Sequence, residues 1–243
     1  MPLLYILGFR GQLRTVLGTI VVTDRATLRA SIYGAFKTYF CSMRSIALLV
    51  PSHLCGTVVD VGANMGDFTL AMAERRPARI VALEPGAENF AALRSNMVLN
   101  GFSDAILLNL AAHDCEEIVQ MHGTNSNLHV DSSSNGFPAQ GVSLDCLMVQ
   151  LGIEEIDILK LDVQGHEWSV LMGMECLLRR EAIRFLLMEV HTKRNVALRE
   201  IVSTMHTYGY RLAHTDPYLF KQPQLCFIPN GGSVRTAQST TDA

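Results

Sequence analysis

Val58-Val59-Asp60-Val61-Gly62-Ala63-Asn64-Met65-Gly66 constrains this chain more than any other stretch. Its first residues form a short apolar run without alternation, as expected of a parallel strand buried on both faces. A tight glycine turn follows, and then a helix begins. A strand feeding such a turn is how a doubly wound α/β domain opens its ligand crevice. The spacing is Gly-x-x-x-Gly, not Gly-x-Gly-x-x-Gly. Asp60 stands just ahead of the first glycine. A carboxylate there repels a pyrophosphate and suits a ligand carrying a cationic amine.

The rest of the chain extends this pattern. Arg79 to Pro85 reads as a second strand and Ala105 to Ala112 as a third. Ile156 to Val163 reads as a fourth and Ile183 to Val190 as a fifth. Helices lie between them, marked by Phe90, Leu93 and Met97, by Leu144, Leu147, Met148 and Leu151, and by Ile201, Val202 and Met205. Ser143 is placed to cap the second of these helices. Tyr210 to His214 and Leu225 to Ile228 follow as two close strands. Strands alternating with helices predict a doubly wound, mostly parallel sheet with helices on both faces and its last strand antiparallel. Residues 115–141 read as polar loops around one short strand. Leu28, Ile32, Phe36 and Phe40 predict a helix that Asp24 caps.

Composition narrows the function classes. The 243 residues are 49% hydrophobic and 18% charged, with a net charge of -3. No basic excess marks a nucleic-acid partner. Arg10 and Arg14 break the apolar start into pieces too short to span a bilayer, which takes about 20 apolar residues. Six cysteines, Cys41, Cys55, Cys115, Cys146, Cys176 and Cys226, lie far apart without a Cys-x-x-Cys pair. They read as reduced and buried, which points to the cytoplasm.

The chemistry gathers at the predicted strand ends, where open parallel sheets bind ligands. Asp60, Glu84, Ala111-Ala112-His113-Asp114, Asp162 and Glu189-x-His191 all fall there. Gly62, Ala63 and Gly66 let a backbone approach a ligand, and Asn64 or Thr69 can add a hydrogen bond. The helix start offers N–H groups to a carboxylate. Glu84, followed by Pro85 and backed by Asn89, is placed to accept hydrogen bonds from a ribose diol. A cationic amine, a carboxylate and a ribose together describe S-adenosylmethionine, bound by the turn, Glu84, Ala111, Ala112 and Asp162. Asp162 faces the sulfonium or orients a substrate hydroxyl, or caps the helix that follows. His191 is a candidate general base, with a structural histidine as the alternative, and His166 joins it as a catalytic candidate. His113, His166 and His191 with Asp162 and Glu167 are compatible with a divalent metal. Their spacing matches no defined ligand motif, so no metal site is assigned.

Further stretches carry a resemblance to a known family. These are Asn100-Gly101, Val142-Ser143-Leu144-Asp145, Leu171-Met172-Gly173, Met188-Glu189-Val190-His191 and above all Asp157-Ile158-Leu159-Lys160-Leu161-Asp162-Val163-Gln164-Gly165-His166-Glu167. With the glycine turn, Glu84-Pro85 and Asn89-Phe90, they resemble the FkbM-type methyltransferases over roughly residues 56–212. The resemblance implies the seven-stranded class I methyltransferase sheet. It also implies methyl transfer from S-adenosylmethionine to a hydroxyl on a sugar, a polyketide or a lipid-linked glycan. That family often has Glu where this chain has Gln164. The loop from Gly123 to Gly136 has no clear family counterpart. Residues 1–55 are then an N-terminal helical segment packed on the core, 56–229 the methyltransferase domain and 230–243 a disordered tail. A homodimer is left open. A binding module without turnover is the alternative from another class. An NAD-dependent oxidoreductase needs a third glycine that the turn does not supply.

Overall fold

The computed structural model describes residues 11–15, 18–22, 54–123, 128–130, 136–191, 198–216 and 223–231. The helix expected around Leu28 to Phe40, Cys41 and the tail beyond Gly231 lie outside these residues. The N-terminal segment expected to be helical holds a hairpin in its described part. Strands β1 (Gly11–Thr15) and β2 (Gly18–Val22) pair antiparallel. Thr19, Ile20, Val21 and Val22 are β-branched, and such residues favour strand over helix.

The large sheet has seven strands, as expected. They are β3 (Thr57–Val61), β4 (Arg79–Leu83), β5 (Ile106–Leu108), β10 (Ile158–Leu161), β11 (Leu186–Glu189), β12 (Tyr210–Asp216) and β13 (Gln224–Pro229). Their spatial order is β12-β13-β11-β10-β3-β4-β5. β13 pairs antiparallel with both β11 and β12, and the other pairings are parallel. The chain leaves β3 in one direction towards β5 and resumes on the other side at β10. That reversal of strand order places a crevice beyond the carboxyl ends of β3 and β10.

Both faces are covered, so the central strands are largely apolar, with Asp60 and Lys160 as a paired exception. One face carries Val59, Val61, Leu83, Leu159, Leu161 and Met188. It packs on α3 (Leu144–Gln150), α4 (Glu167–Met172), α5 (Glu175–Arg179) and α6 (Leu198–Thr207). The other face carries Val58, Ala82, Ile158 and Leu187, under α1 (Asp67–Ala73) and α2 (Ala87–Leu99). Ser143 caps α3 as its sequence predicts, accepting a hydrogen bond from the Cys146 N–H at 3.2 Å.

The third strand is shorter than its sequence pattern. The chain leaves the sheet at Asn109, whose side-chain amide donates to the Glu84 and Pro85 carbonyls at 2.8 and 2.9 Å. Ala111 and Ala112 then form β6 in a second sheet with β7 (Ile118–His122), β8 (His129–Val130) and β9 (Phe137–Val142). Its order is β6-β9-β7-β8. Residues 115–141 therefore hold three short strands where loops around one were expected. Ala111, Val119, Met121 and Ala139 give this insertion a small core of its own.

Asp157 ties together the amino ends of three central strands. Its Oδ2 accepts the Thr57 N–H at 2.7 Å, and its Oδ1 pairs with Arg184 at 3.2 Å. At the far edge, Tyr210 is wholly buried and its hydroxyl oxygen accepts the Ile183 N–H at 3.2 Å. Burial pushes its pKa up to about 12, so it stays neutral. Tyr210→Phe leaves that buried N–H without a partner. The expected cost is about 1–3 kcal/mol of unfolding free energy, measured by urea denaturation.

Candidate active site

The glycine turn is shaped by its own protein neighbours. Gly62 and Gly66 have φ of 74° and 94°, a region that favours glycine. A Cβ on Gly62 would lie 2.0 Å from the Asp162 carbonyl oxygen, and one on Gly66 would lie 2.6 Å from Leu93. Backbone N–H groups of Gly62 and Ala63 both donate to the Leu83 carbonyl, at 3.0 and 2.9 Å. The turn is thus clamped between β4 and the end of β10.

Asp60 takes a role different from the one its charge suggested. It has no exposed surface. Its Oδ2 accepts the Thr69 hydroxyl at 2.6 Å, and its Oδ1 pairs with Lys160 at 3.0 Å. Lys160 also donates to the Gly62 carbonyl at 2.8 Å. The Asp60 charge is met inside the protein rather than by a cationic amine. Thr69, expected to reach a ligand, is equally buried and spent on Asp60. Burial acts against the Lys160 charge, but Asp60 and then Asp162 outweigh it and hold its pKa above the ordinary lysine value.

Glu84 is held at the end of β4. Its Oε2 accepts the Asn64 N–H at 2.8 Å. Its Oε1 accepts the Gly86 N–H at 2.9 Å and the Asn89 amide at 3.2 Å. Burial pushes its pKa up, against the lowering effect of those three bonds. Three of about four acceptor positions are filled, which leaves room for one further donor. Pro85 is half-buried beside it. Leu128 of the insertion reaches Gly86, where an added Cβ would meet it at 2.4 Å. Ala111 and Ala112 are buried and pair with Gly141 and Val142 of β9.

Across the crevice, Asp162 follows β10. Its Oδ1 accepts the Gln164 amide at 3.0 Å. A glutamate at 164 would have no such hydrogen to give, so the departure from the family run changes what Asp162 receives. His191 is 5% exposed. Its Nδ1 lies 2.7 Å from Oε1 of the wholly buried Glu167, and its Nε2 lies 3.8 Å from Asp162 and 3.8 Å from Glu189. Burial lowers the His191 pKa, but the bond to Glu167 and the charges of Asp162, Glu167 and Glu189 raise it above the ordinary value.

A second polar chain begins at His166, just before α4. Its Nε2 is 2.8 Å from His113 Nδ1, and His113 Nε2 is 2.6 Å from Glu117 Oε1. The two rings stack at 4.9 Å, and the Ser169 hydroxyl lies 2.8 Å from the same His113 nitrogen. Burial, then the His113 ring, pulls the His166 pKa below the ordinary histidine value. Gly173 permits this docking, since a Cβ there would fall 2.0 Å from the His113 carbonyl.

The structure therefore brings Asp162 and His191 together and sets His166 in a separate chain. Sequence reasoning missed Lys160 and Glu117. A lone lysine inside the apolar run Ile158-Leu159-Lys160-Leu161 was the available signal for the first, and nothing local marks the second. The cysteines differ as well: Cys226 is buried, but Cys55, Cys115, Cys146 and Cys176 are exposed. No helix among the described residues is long and apolar enough to cross a membrane.

The sheet order and the crevice at the β3–β10 switch define a class I methyltransferase fold. Two solved methyltransferase structures share it at a TM-score of 0.50. One is TrmK from M. capricolum with S-adenosylhomocysteine, 11% identical and covering 79% of this chain and 69% of that chain. The other is a putative methyltransferase from Streptococcus mutans with the same product, 10% identical and covering 77% and 97%. The model of the methyltransferase FkbM domain matches residues 60–212. The chain belongs to that family, and S-adenosylmethionine is the family's methyl donor. It is 29% identical to the 31-O-demethyl-FK506 methyltransferase FkbM of Streptomyces tacrolimicus, over 84% of this chain and 91% of that protein. It is 30% identical to the AMB antimetabolite synthetase AmbE of Pseudomonas aeruginosa over 58% of this chain, which spans only 8% of that protein.

Lys160→Met strands the Asp60 carboxylate in the core. The expected loss is about 3–5 kcal/mol of stability, read by chemical denaturation. Asp60→Asn combined with Lys160→Met is expected to recover much of it, because no uncompensated charge remains.

Proposed function

We propose that this chain is an O-methyltransferase that uses S-adenosylmethionine to methylate a hydroxyl of a small molecule such as a sugar or a polyketide. Family membership and the similarity to an enzyme named as a 31-O-demethyl-FK506 methyltransferase support the reading. The donor set fits the cofactor. Glu84 retains acceptor capacity beside the glycine turn, and Asp162 and Glu189 make the crevice favourable to a cation. Gly62, Ala63, Asn64 and Gly66 would hold one end of the cofactor, and Glu84 with Pro85 and Asn89 the ribose. Ala111 and Ala112 would flank the base, and Asp162 the cationic centre. When bound, S-adenosylmethionine supplies a methyl group whose C–S bonding pair returns to sulfur as the new C–O bond forms.

The observation that carries the hydroxyl chemistry is the chain Glu117–His113–His166. A neutral amine can attack before it loses a proton, but a neutral hydroxyl is a weak nucleophile that must shed its proton as it reacts. Glu117 draws the His113 N–H to Nε2, so His113 Nδ1 is an acceptor facing both His166 Nε2–H and the Ser169 hydroxyl. The His166 Nδ1 lone pair is then left to take the proton. Among the described residues that nitrogen makes no hydrogen bond. His191 is given no part in the proton path, because the charges of Asp162, Glu167 and Glu189 around it favour its protonated form.

His166→Gln is expected to lower kcat by about a hundredfold or more while S-adenosylhomocysteine binding by calorimetry stays unchanged. An unaltered kcat removes His166 from the reaction. The base acts in its neutral form, so the rate falls as pH drops through the His166 pKa. Burial and His113 lower that pKa and Asp114 and Glu167 oppose them, so the acid limb of kcat lies below the ordinary histidine value. Glu84→Gln removes a charged acceptor worth about 1.5–3 kcal/mol. Weaker cofactor binding by about tenfold to a hundredfold is expected, and full affinity would refute the ribose assignment. Labelled methyl transfer to sugar and polyketide hydroxyls tests the acceptor class.

A further inference from the structure

The loop between β10 and α4 carries both Asp162 and His166, and its backbone has an uncommon shape. Gln164 and Gly165 follow one another with φ of 55° and 99°. The left-handed region is unfavourable for a residue with a side chain, so Gln164 keeps that shape only because its surroundings enforce it. The start of the loop is fixed by the Asp162 N–H, which donates to the Val61 carbonyl at 3.1 Å. Its far end is fixed by Glu167. Oε1 of that carboxylate accepts the Gly165 N–H at 3.0 Å and the His191 Nδ1–H at 2.7 Å. Among the described residues no hydrogen bond reaches Oε2. One oxygen atom therefore ties the loop backbone to the residues that follow β11.

Glu167 and His191 are both buried, where water does not compete for the hydrogen bond between them. Burial acts against a charge on His191, but the bond to Glu167 and the charges of Asp162, Glu167 and Glu189 favour it. The imidazolium is then the counter-charge that a buried carboxylate needs. The anchor is itself pinned, since the Val190 N–H donates to the Pro223 carbonyl at 3.0 Å. His166 adjoins Gly165, and its ring meets His113 at 2.8 Å. A drift of the loop by about 1 Å is enough to break that contact.

We propose that Glu167 is a positioning residue with His191 as its anchor: it clamps the β10–α4 loop to the end of β11 and so sets where Asp162 and His166 meet the crevice. The clamp itself does not depend on the reaction proposed above. Its effect on methyl transfer rests on that reading.

Hydrogen exchange of the Gly165 N–H and titration of the His166 ring, both followed by nuclear magnetic resonance on the full chain, test the clamp. Glu167→Ala is expected to speed Gly165 exchange at least about tenfold. The direction of the His166 shift separates a clamp from a mere nearby charge. Burial and then His113 hold the His166 pKa down, while Asp114 and Glu167 raise it. Loss of the Glu167 charge alone lowers it further. Release of the loop from burial and from His113 moves it up towards the ordinary histidine value, and this upward shift is expected in Glu167→Ala. Glu167→Gln keeps a carbonyl oxygen for the two donors, so slow exchange and no upward shift are expected. The double variant Glu167→Leu with His191→Phe leaves neither charge stranded and is expected to behave as Glu167→Ala. It decides the question where the single variant does not fold. Tyr210→Phe, which lowers stability away from the loop, is expected to leave both readings unchanged. In labelled methyl transfer, Glu167→Ala is expected to lower kcat about tenfold to a hundredfold, with Glu167→Gln restoring most of it. S-adenosylhomocysteine binding to the unsubstituted chain is measured in parallel, and its absence sinks the methyltransferase reading while the clamp stands. Unchanged Gly165 exchange or a downward His166 shift in the releasing variants overturns the clamp. So does an equal change in Tyr210→Phe.

Discussion

The ion pair between Asp60 and Lys160 joins the two central strands where the crevice opens. The strands lie side by side in parallel register, with Lys160 opposite Asp60. A charge buried alone costs several kcal/mol, so each makes the other tolerable. The same ammonium holds the Gly62 carbonyl, and the same carboxylate holds Thr69 at the start of α1. One pair thus fixes the strand, the turn and the helix that follows. The orientation of the turn, and with it the Asn64 N–H that binds Glu84, depends on that local neutralisation.

Much of the main sheet was legible in the sequence because its signals are local. Apolar runs without alternation, glycine turns and a capping serine are each written within a few residues. Glu84 and the strand-end carboxylates follow from knowing where such strands end. The insertion sheet was not legible. Its strands are two to six residues long and interrupted by Gly, Ser and Asn, and their pairing is decided by tertiary packing around Ala111, Val119 and Ala139. The hairpin at residues 11–22 was hidden by reading its apolar residues as part of a helical segment.

Where the strand-end residues stand was legible, but what their side chains touch was not. Asp60 looked like a ligand contact because its partner Lys160 is far away in sequence and adjacent only across the sheet. Thr69 was misplaced for the same reason. The histidines are the sharper lesson. His166 and His191 both follow strand ends and look alike in a sequence. What separates them is which nitrogen is occupied, and the answers come from His113, which follows β6, and from Glu167 on α4.

The two polar chains also differ in where they lead. The group around His191 ends inside the protein, on a carboxylate with no exposed surface. The chain from His166 ends at Glu117, whose side chain is 55% exposed on the insertion. Under the role proposed for His166, a proton taken up there has an outlet through the flank of the molecule. Under that role the proton leaves by a route that does not pass through the crevice itself.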